Sequence, residues 1–137
     1  MRRMIYFSTE TQPFSEQELE ALLEQSIKSN TQAGITGFLL YKRGNFLQVI
    51  EGPDLAIHDL YAALRKDKRH KDLVPVEDKA VERREFEGWQ MGFQNLDILS
   101  NNVIPGFTEY SNPFSYEEFQ ENPDRAHQLL MFFARHL

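Results

Sequence analysis

Residues 3–8, Arg-Met-Ile-Tyr-Phe-Ser, are apolar and aromatic up to the polar stretch 9–13, which predicts a first strand. Ser15 and Glu18 then have capping-box spacing, with Phe14 and Leu19 at the staple positions. Leu19, Leu22, Leu23 and Ile27 recur at helical spacing, so a helix is expected to run to near Asn30. Gly34 and Gly37 bracket the start of a second strand, Ile35 to Tyr41. Lys42-Arg43-Gly44-Asn45 is a turn, and Phe46 to Glu51 returns as its hairpin partner. Gly52-Pro53 ends that strand. Asp54 is the expected N-cap of a second helix with Ile57, Leu60, Tyr61 and Leu64 on one face. Leu73 to Ala80 reads as a fourth strand and Trp89 to Gln94 as a fifth.

The order βαββαββ predicts an α+β, ferredoxin-like antiparallel sheet with two helices on one face. Residues 1–96 form the predicted main domain and 97–137 a C-terminal helical extension. In the extension, Asn101-Asn102, Pro105-Gly106 and Asn112-Pro113 are breaks. Ser115 and Glu118 have capping-box spacing, flanked by Phe114 and Phe119. Pro123 suits the first position of a last helix striped by Ala126, Leu129, Leu130, Phe133 and Leu137. Along the third strand, Phe46, Gln48 and Ile50 face one way, and Leu47 and Val49 the other. Neither face is polar, so both need cover. Two helices cover one; the tail is expected to cover the other or to make an oligomer contact, with Phe107, Tyr110, Phe114, Tyr116 and Phe119 available for either.

Polar residues on these apolar faces change the picture, because an unsatisfied buried polar group costs about 1–3 kcal/mol. Gln48 is either satisfied at a strand irregularity or presented to a ligand in the helix-covered layer. Tyr6, on the face of Met4 and Ser8, is ordinarily core with its hydroxyl tied to a partner. Ser26 and Asn30 continue the first helix's apolar stripe. They read as a small packing residue and a C-terminal cap, or as contacts to a polar ligand. Residues 65–71 hold five Lys or Arg and one acid. They form a solvated helix terminus favoured by the dipole, or a phosphate subsite. Trp89 and Met91 alternate on the last predicted strand, where either is ordinary core.

Composition narrows the chemistry. Fifteen Lys and Arg against 21 Asp and Glu leave a charge of −6, which disfavours general nucleic-acid or anionic-membrane binding. The chain of 137 residues has no cysteine. That excludes disulfides, thiolate chemistry, cysteine-ligated metals and a cysteinyl adduct with any cofactor. His58, His70, His127 and His136 show no i,i+3 or i,i+4 pairing, so no metal site is expected. There is no Gly-rich phosphate loop and no nucleophile elbow. No apolar run approaches a bilayer span, and Met1-Arg2-Arg3 opens no signal peptide, so a cytoplasmic location is expected.

From Arg3 to Gln94 the chain resembles the BLUF family of blue-light sensors using FAD. Five ordered blocks carry the resemblance: Ile5-Tyr6-Phe7-Ser8; Asn30 followed by Gly34-Ile35-Thr36-Gly37; Phe46-Leu47-Gln48-Val49-Ile50-Glu51-Gly52-Pro53; Asp67-Lys68-Arg69-His70; and Arg84, Phe86, Trp89 and Met91 in the last. Residue 29 is Ser where family members often carry Asn or His. The resemblance implies FAD held non-covalently between the two helices, over the sheet. Tyr6 would be the light-driven electron and proton donor. Gln48 would lie between Tyr6 and the flavin and rearrange, shifting the absorption to the red. Asn30 would bond the ring's carbonyl side. Leu22, Ser26, Phe46, Ile50 and Leu64 would line the pocket, and Arg69 and His70 would lie near the flavin and its phosphate end. Trp89 and Met91 would relay the signal. It implies a signalling module and not an enzyme, one that forms homo-oligomers and contacts a separate response protein. A ferredoxin-like ligand-binding or interaction regulator without photochemistry is the alternative. A flavin-dependent reductase is a third, without any nicotinamide-binding fingerprint to support it.

Overall fold

A computed structural model describes residues 1–98 and 111–136. The elements are β1 (Arg2–Glu10), α1 (Glu16–Ala33), β2 (Thr36–Lys42), β3 (Asn45–Gly52), α2 (Asp54–Lys66), β4 (His70–Ala80), β5 (Gly92–Asn95), α3 (Tyr116–Glu121) and α4 (Pro123–Arg135). The five strands form one sheet in the order β4-β1-β3-β2-β5. Every pairing among the first four is antiparallel, as the ferredoxin-like reading expects, whereas β5 adds to β2 in parallel. The sheet is therefore mixed and not wholly antiparallel.

Local chemistry accounts for most boundaries. Ser15 caps α1 through a complete capping box with Glu18. The helix passes Asn30 and ends at Gly34, whose φ of 73° supplies the left-handed cap, so Asn30 is not the terminus. Pro53, and not Asp54, stands at the N-cap of α2 and makes no side-chain cap bond; Asp54 lies in the first turn, where the helix dipole favours its charge. Ser115 caps α3 by accepting the Glu118 N–H, and Pro123 opens α4.

Two apolar layers sandwich the sheet. On one face Met4, Leu39, Phe46 and Ile50 pack with Leu19 of α1 and Ile57 of α2. Ile27, expected on the buried stripe, is 41% exposed; it sits at the stripe's rim, rotated away from the line through Ser26 and Asn30. On the other face Ile5, Phe7, Phe38, Leu40, Leu47 and Val49 pack with Phe119, Ala126, Leu129, Leu130 and Phe133. The tail helices thus cover the second face of the sheet. Phe114 and Phe119 meet edge to face at 5.4 Å, and Phe7 lies against both. Residues 101–102, 105–106, Phe107, Tyr110 and Leu137 lie outside the described residues.

The fifth strand departs most from expectation. Trp89 and Met91 precede it, and they do not share a face. Trp89 packs on the tail side, edge to face with Phe38 at 5.3 Å, while Met91 is buried on the helix side. Hydrogen bonds explain the diversion. The Trp89 carbonyl accepts the Gly37 N–H at 2.8 Å, and the Gln90 carbonyl accepts the Asn30 side-chain amide at 3.2 Å. Regular pairing with β2 resumes only at Gly92, opposite Phe38.

Candidate functional site

A cleft opens between α1, α2 and the sheet, with about 550 Å³ of space including its mouth. Its floor follows from strand register. Tyr6 of β1 and Leu39 of β2 each stand directly opposite Gln48 of β3. Directly opposed side chains start roughly 4.5–5.5 Å apart at Cβ, so phenol and carboxamide are neighbours. β4 is an edge strand, and its register shifts against β1 on either side of Tyr6–Phe7. Pro75 lies opposite Tyr6 there, a tolerated place for proline and a common device beside functional sites.

The floor is polar but dry. Gln48 is 7% exposed, and its amide nitrogen lies 3.1 Å from the Met91 sulfur, a weak acceptor. Tyr6 is 3% exposed. Burial, with smaller contributions from Asp67 and Tyr61, pushes its hydroxyl well above the ordinary tyrosine value, so the phenol stays protonated. Ser8 Oγ is buried with no hydrogen-bond partner. A hydroxyl of that kind beside a cleft marks a place for a polar ligand atom.

Helices supply the walls and the mouth. Leu22, Ser26 and Asn30 come from one line of α1, spaced four residues apart, and Leu60 and Leu64 from α2. Phe14 stands edge to face with Phe46 at 5.6 Å and closes one side. At the mouth, Asp67 accepts the Arg69 guanidinium at 2.6 Å and its N–H at 2.9 Å. The Arg69 side-chain bond is the main cause holding the Asp67 carboxyl below its ordinary value. His70 Nε2 lies 2.8 Å from the Leu64 carbonyl, so Nε2 carries the proton and donates.

The structure brings Tyr6, Leu22, Ser26, Asn30, Phe46, Gln48, Leu64, Arg69 and His70 to this cleft. Ile50 is the exception: it is fully buried beneath the wall, in the core with Leu19 and Ile57. Ser8, Phe14, Leu39, Leu60 and Asp67 also line the cleft and were not singled out as site residues. Ser8 was available from strand periodicity, two residues after Tyr6, and Leu60 from its helical spacing to Leu64. Leu39 and Phe14 depend on inter-strand register and on the path of the connection after β1, which no local pattern reveals. Of the basic run 65–71, only Arg69 and His70 reach the cleft; Arg65 and Lys66 form the last turn of α2.

Among the described residues, no cluster of His, Asp or Glu could hold a metal ion, and no helix is long and apolar enough to cross a membrane.

Known proteins share both the sequence and the fold. Photoactivated adenylate cyclase subunit beta of Euglena longa is 39% identical over 98 residues, 71% of this chain and 11% of that protein. Photoactivated adenylate cyclase subunit alpha of Euglena gracilis is 37% identical over 83 residues, 61% of this chain and 8% of that protein. This chain therefore spans about a tenth of those relatives' length. A bacterial light-regulated adenylyl cyclase superposes with a TM-score of 0.78 at 26% identity, over 96% of this chain and 39% of that one. BlrB, a BLUF protein in its dark state, superposes at 0.79 over 99% of this chain and 96% of its own, with 23% identity, a likeness of fold. A family model described as sensors of blue-light using FAD matches residues 1–92. With two thirds of its length matched in this way, the chain belongs to the BLUF family.

Proposed function

We propose that this chain is a blue-light photoreceptor in which Tyr6 and Gln48 form the photochemical pair and the segment Trp89–Met91 carries the signal outward. FAD is the family's cofactor. The cleft suits it: an apolar slot walled by Leu22, Leu60 and Leu64, a polar floor with an unpartnered Ser8 hydroxyl, and a cation, Arg69, at the mouth for the phosphate end. Asn30, fixed by its bond to the Gln90 carbonyl, is placed to meet the ring's carbonyl side. With no cysteine in the chain, the photocycle forms no thiol adduct.

When bound, flavin supplies the chromophore and, once excited, an oxidant; the chain supplies the rest. Tyr6 holds its proton in a dry site, so electron and proton leave together for the cleft. Gln48 carries both a donor and an acceptor on one carboxamide, so it can exchange ends as its neighbour's demand changes. Its present partner, Met91 sulfur, is weak, and surrendering that contact costs little. The opposition of Tyr6 and Gln48 across β1 and β3 carries this reading.

Trp89 and Met91 straddle the sheet, one against the tail helices and one against Gln48. A change at Gln48 therefore reaches both layers through two adjacent peptide units. The matched domain is a sensor and not a catalytic domain. Output passes to a separate response protein, with the chain itself assembled as a homo-oligomer.

The test is absorption of the FAD-loaded protein before and after blue light. A reversible red shift of the flavin bands is expected, absent in Gln48→Leu and Tyr6→Phe although both retain FAD. Protein that cannot be loaded with FAD, or an unchanged photocycle in Gln48→Leu, would falsify the assignment.

A further inference from the structure

β3 carries a second buried polar residue, Glu51, three positions after Gln48 and fully buried. Its carboxylate accepts the Glu85 N–H at 3.0 Å and the Phe86 N–H at 2.8 Å, and lies 3.8 Å from the Arg3 guanidinium. Beside it, Arg84 donates to the Glu51 and Gly34 carbonyls and to Thr36 Oγ1. The main chain at 84–86 is thus fastened to β3 and to the end of α1. Five residues on, the same segment touches the cleft through the Gln90 carbonyl, bonded to Asn30, and Met91, bonded to Gln48.

The Glu85 side chain turns the other way. One oxygen accepts from Arg3 Nη1 at 2.6 Å, and the other lies 2.8 Å from His127 Nε2 on α4. Arg3 is 3% exposed and also binds Glu77 at 3.1 Å, with Lys79 3.2 Å from the same carboxylate. Three carboxylates, Glu51, Glu77 and Glu85, therefore surround one buried guanidinium, with the Lys79 ammonium and the His127 imidazole at the margin. Glu85 is 38% exposed, so water can take the place of His127 while Arg3 stays bound.

We propose that Glu85 is the joint between the cleft and the C-terminal helix, its main chain held from the Gln48 strand and its carboxylate holding α4 through His127. A displacement of residues 84–91 then loosens or tightens α4 at one side-chain hydrogen bond. Apolar packing through Trp89 alone would transmit a different pattern, since Trp89 packs on a cluster in which sheet and α4 residues are mixed. Glu85 and His127 are positioning residues: neither lines the cleft.

This inference rests on the photoreceptor reading, and the experiment separates the two. Hydrogen exchange of peptides spanning 123–135 is measured in the dark and under blue light on the full FAD-loaded chain, with the absorption shift recorded on the same samples. The wild type is expected to show both the red shift and a light–dark difference in α4. Glu85→Gln and His127→Gln should keep the red shift and lose at least about threefold of the α4 difference. His127→Lys, which keeps an N–H donor opposite Glu85, should retain it. An α4 difference undiminished in both Gln variants overturns the joint, as does a wild type with a red shift and no α4 difference. A wild type without the red shift overturns the photoreceptor reading and, with it, this one.

Discussion

At the scale of single residues, the site depends on polar groups kept in a dry layer. Tyr6 shows the consequence most directly. Its raised hydroxyl pKa means that the folded state binds the phenolic proton more tightly than the unfolded state does. That contribution to stability is complete below the ordinary tyrosine value near 10 and is lost as pH rises through the folded value. Chemical denaturation above pH 10 should therefore show stability falling with pH, and falling less steeply in Tyr6→Phe. Equal slopes would show that Tyr6 is not desolvated. Gly37 makes a different kind of point. A methyl group there would meet the Val49 carbonyl oxygen head on, well inside contact distance. β2 and β3 approach that closely where Gly37 stands opposite Ile50, so backbone must shift to accept a side chain. Gly37→Ala is expected to cost about 1–3 kcal/mol, read as a lower urea midpoint at unchanged slope.

At the scale of elements, the two helical layers do different work. α1 and α2 are only thinly buried, with Leu19, Asn30 and Ile57 their only fully buried residues. Their inner faces border the cleft. α4 is the opposite: Ala126, Leu129, Leu130 and Phe133 are all buried against the sheet. Large-to-small changes should therefore be costly on α4 and mild on the cleft wall. Leu130→Ala is expected to lose about 2–5 kcal/mol, while Leu60→Ala loses much less in flavin-free protein. Thermal or urea unfolding of the two variants decides it, and similar losses would contradict the asymmetry. Lys42 adds a polar tie on the tail side, donating to the Ser111 hydroxyl at 3.1 Å and to the Asn112 side chain, while Arg125 donates to the Asn112 and Pro113 carbonyls.

For the whole molecule, the central strands β1, β2 and β3 are covered on both faces. Cutting the chain after Leu96 would uncover Ile5, Phe7, Phe38, Leu40, Leu47 and Val49 together, a contiguous apolar area larger than soluble monomers tolerate. Such a fragment is expected to self-associate or precipitate at concentrations where the full chain does not, as sedimentation would show. A well-behaved monomeric fragment would mean that the tail is dispensable cover. Oligomerisation of the full chain belongs to the same scale, and sedimentation in the dark and under blue light reads whether light changes it.

Strand and helix identities, the hairpin, the first helix's capping box and the two-sided burial of β3 were legible in the sequence, because each depends on residues within one or two turns of one another. So were Tyr6, Gln48, Ser26 and Asn30 of the cleft, polar where periodicity demands apolar side chains, whereas Leu22, Phe46, Leu64, Arg69 and His70 were implied by the family resemblance. Others needed the third dimension. The parallel addition of β5 and the placement of Trp89 and Met91 on opposite faces were set by bonds from Asn30 and Gly37, which lie more than fifty residues away. Ile50 looked like a pocket residue because it shares a face with Gln48, yet packing of Leu19 and Ile57 over it closes the cleft before it gets there. Glu51 stood out in the sequence only as a carboxylate inside an apolar strand. Its role in fastening residues 84–86, and with them Glu85 to α4, became visible only once the fold had brought its partners together. Periodicity records which side of an element is buried; only the packed chain decides what that side is buried against.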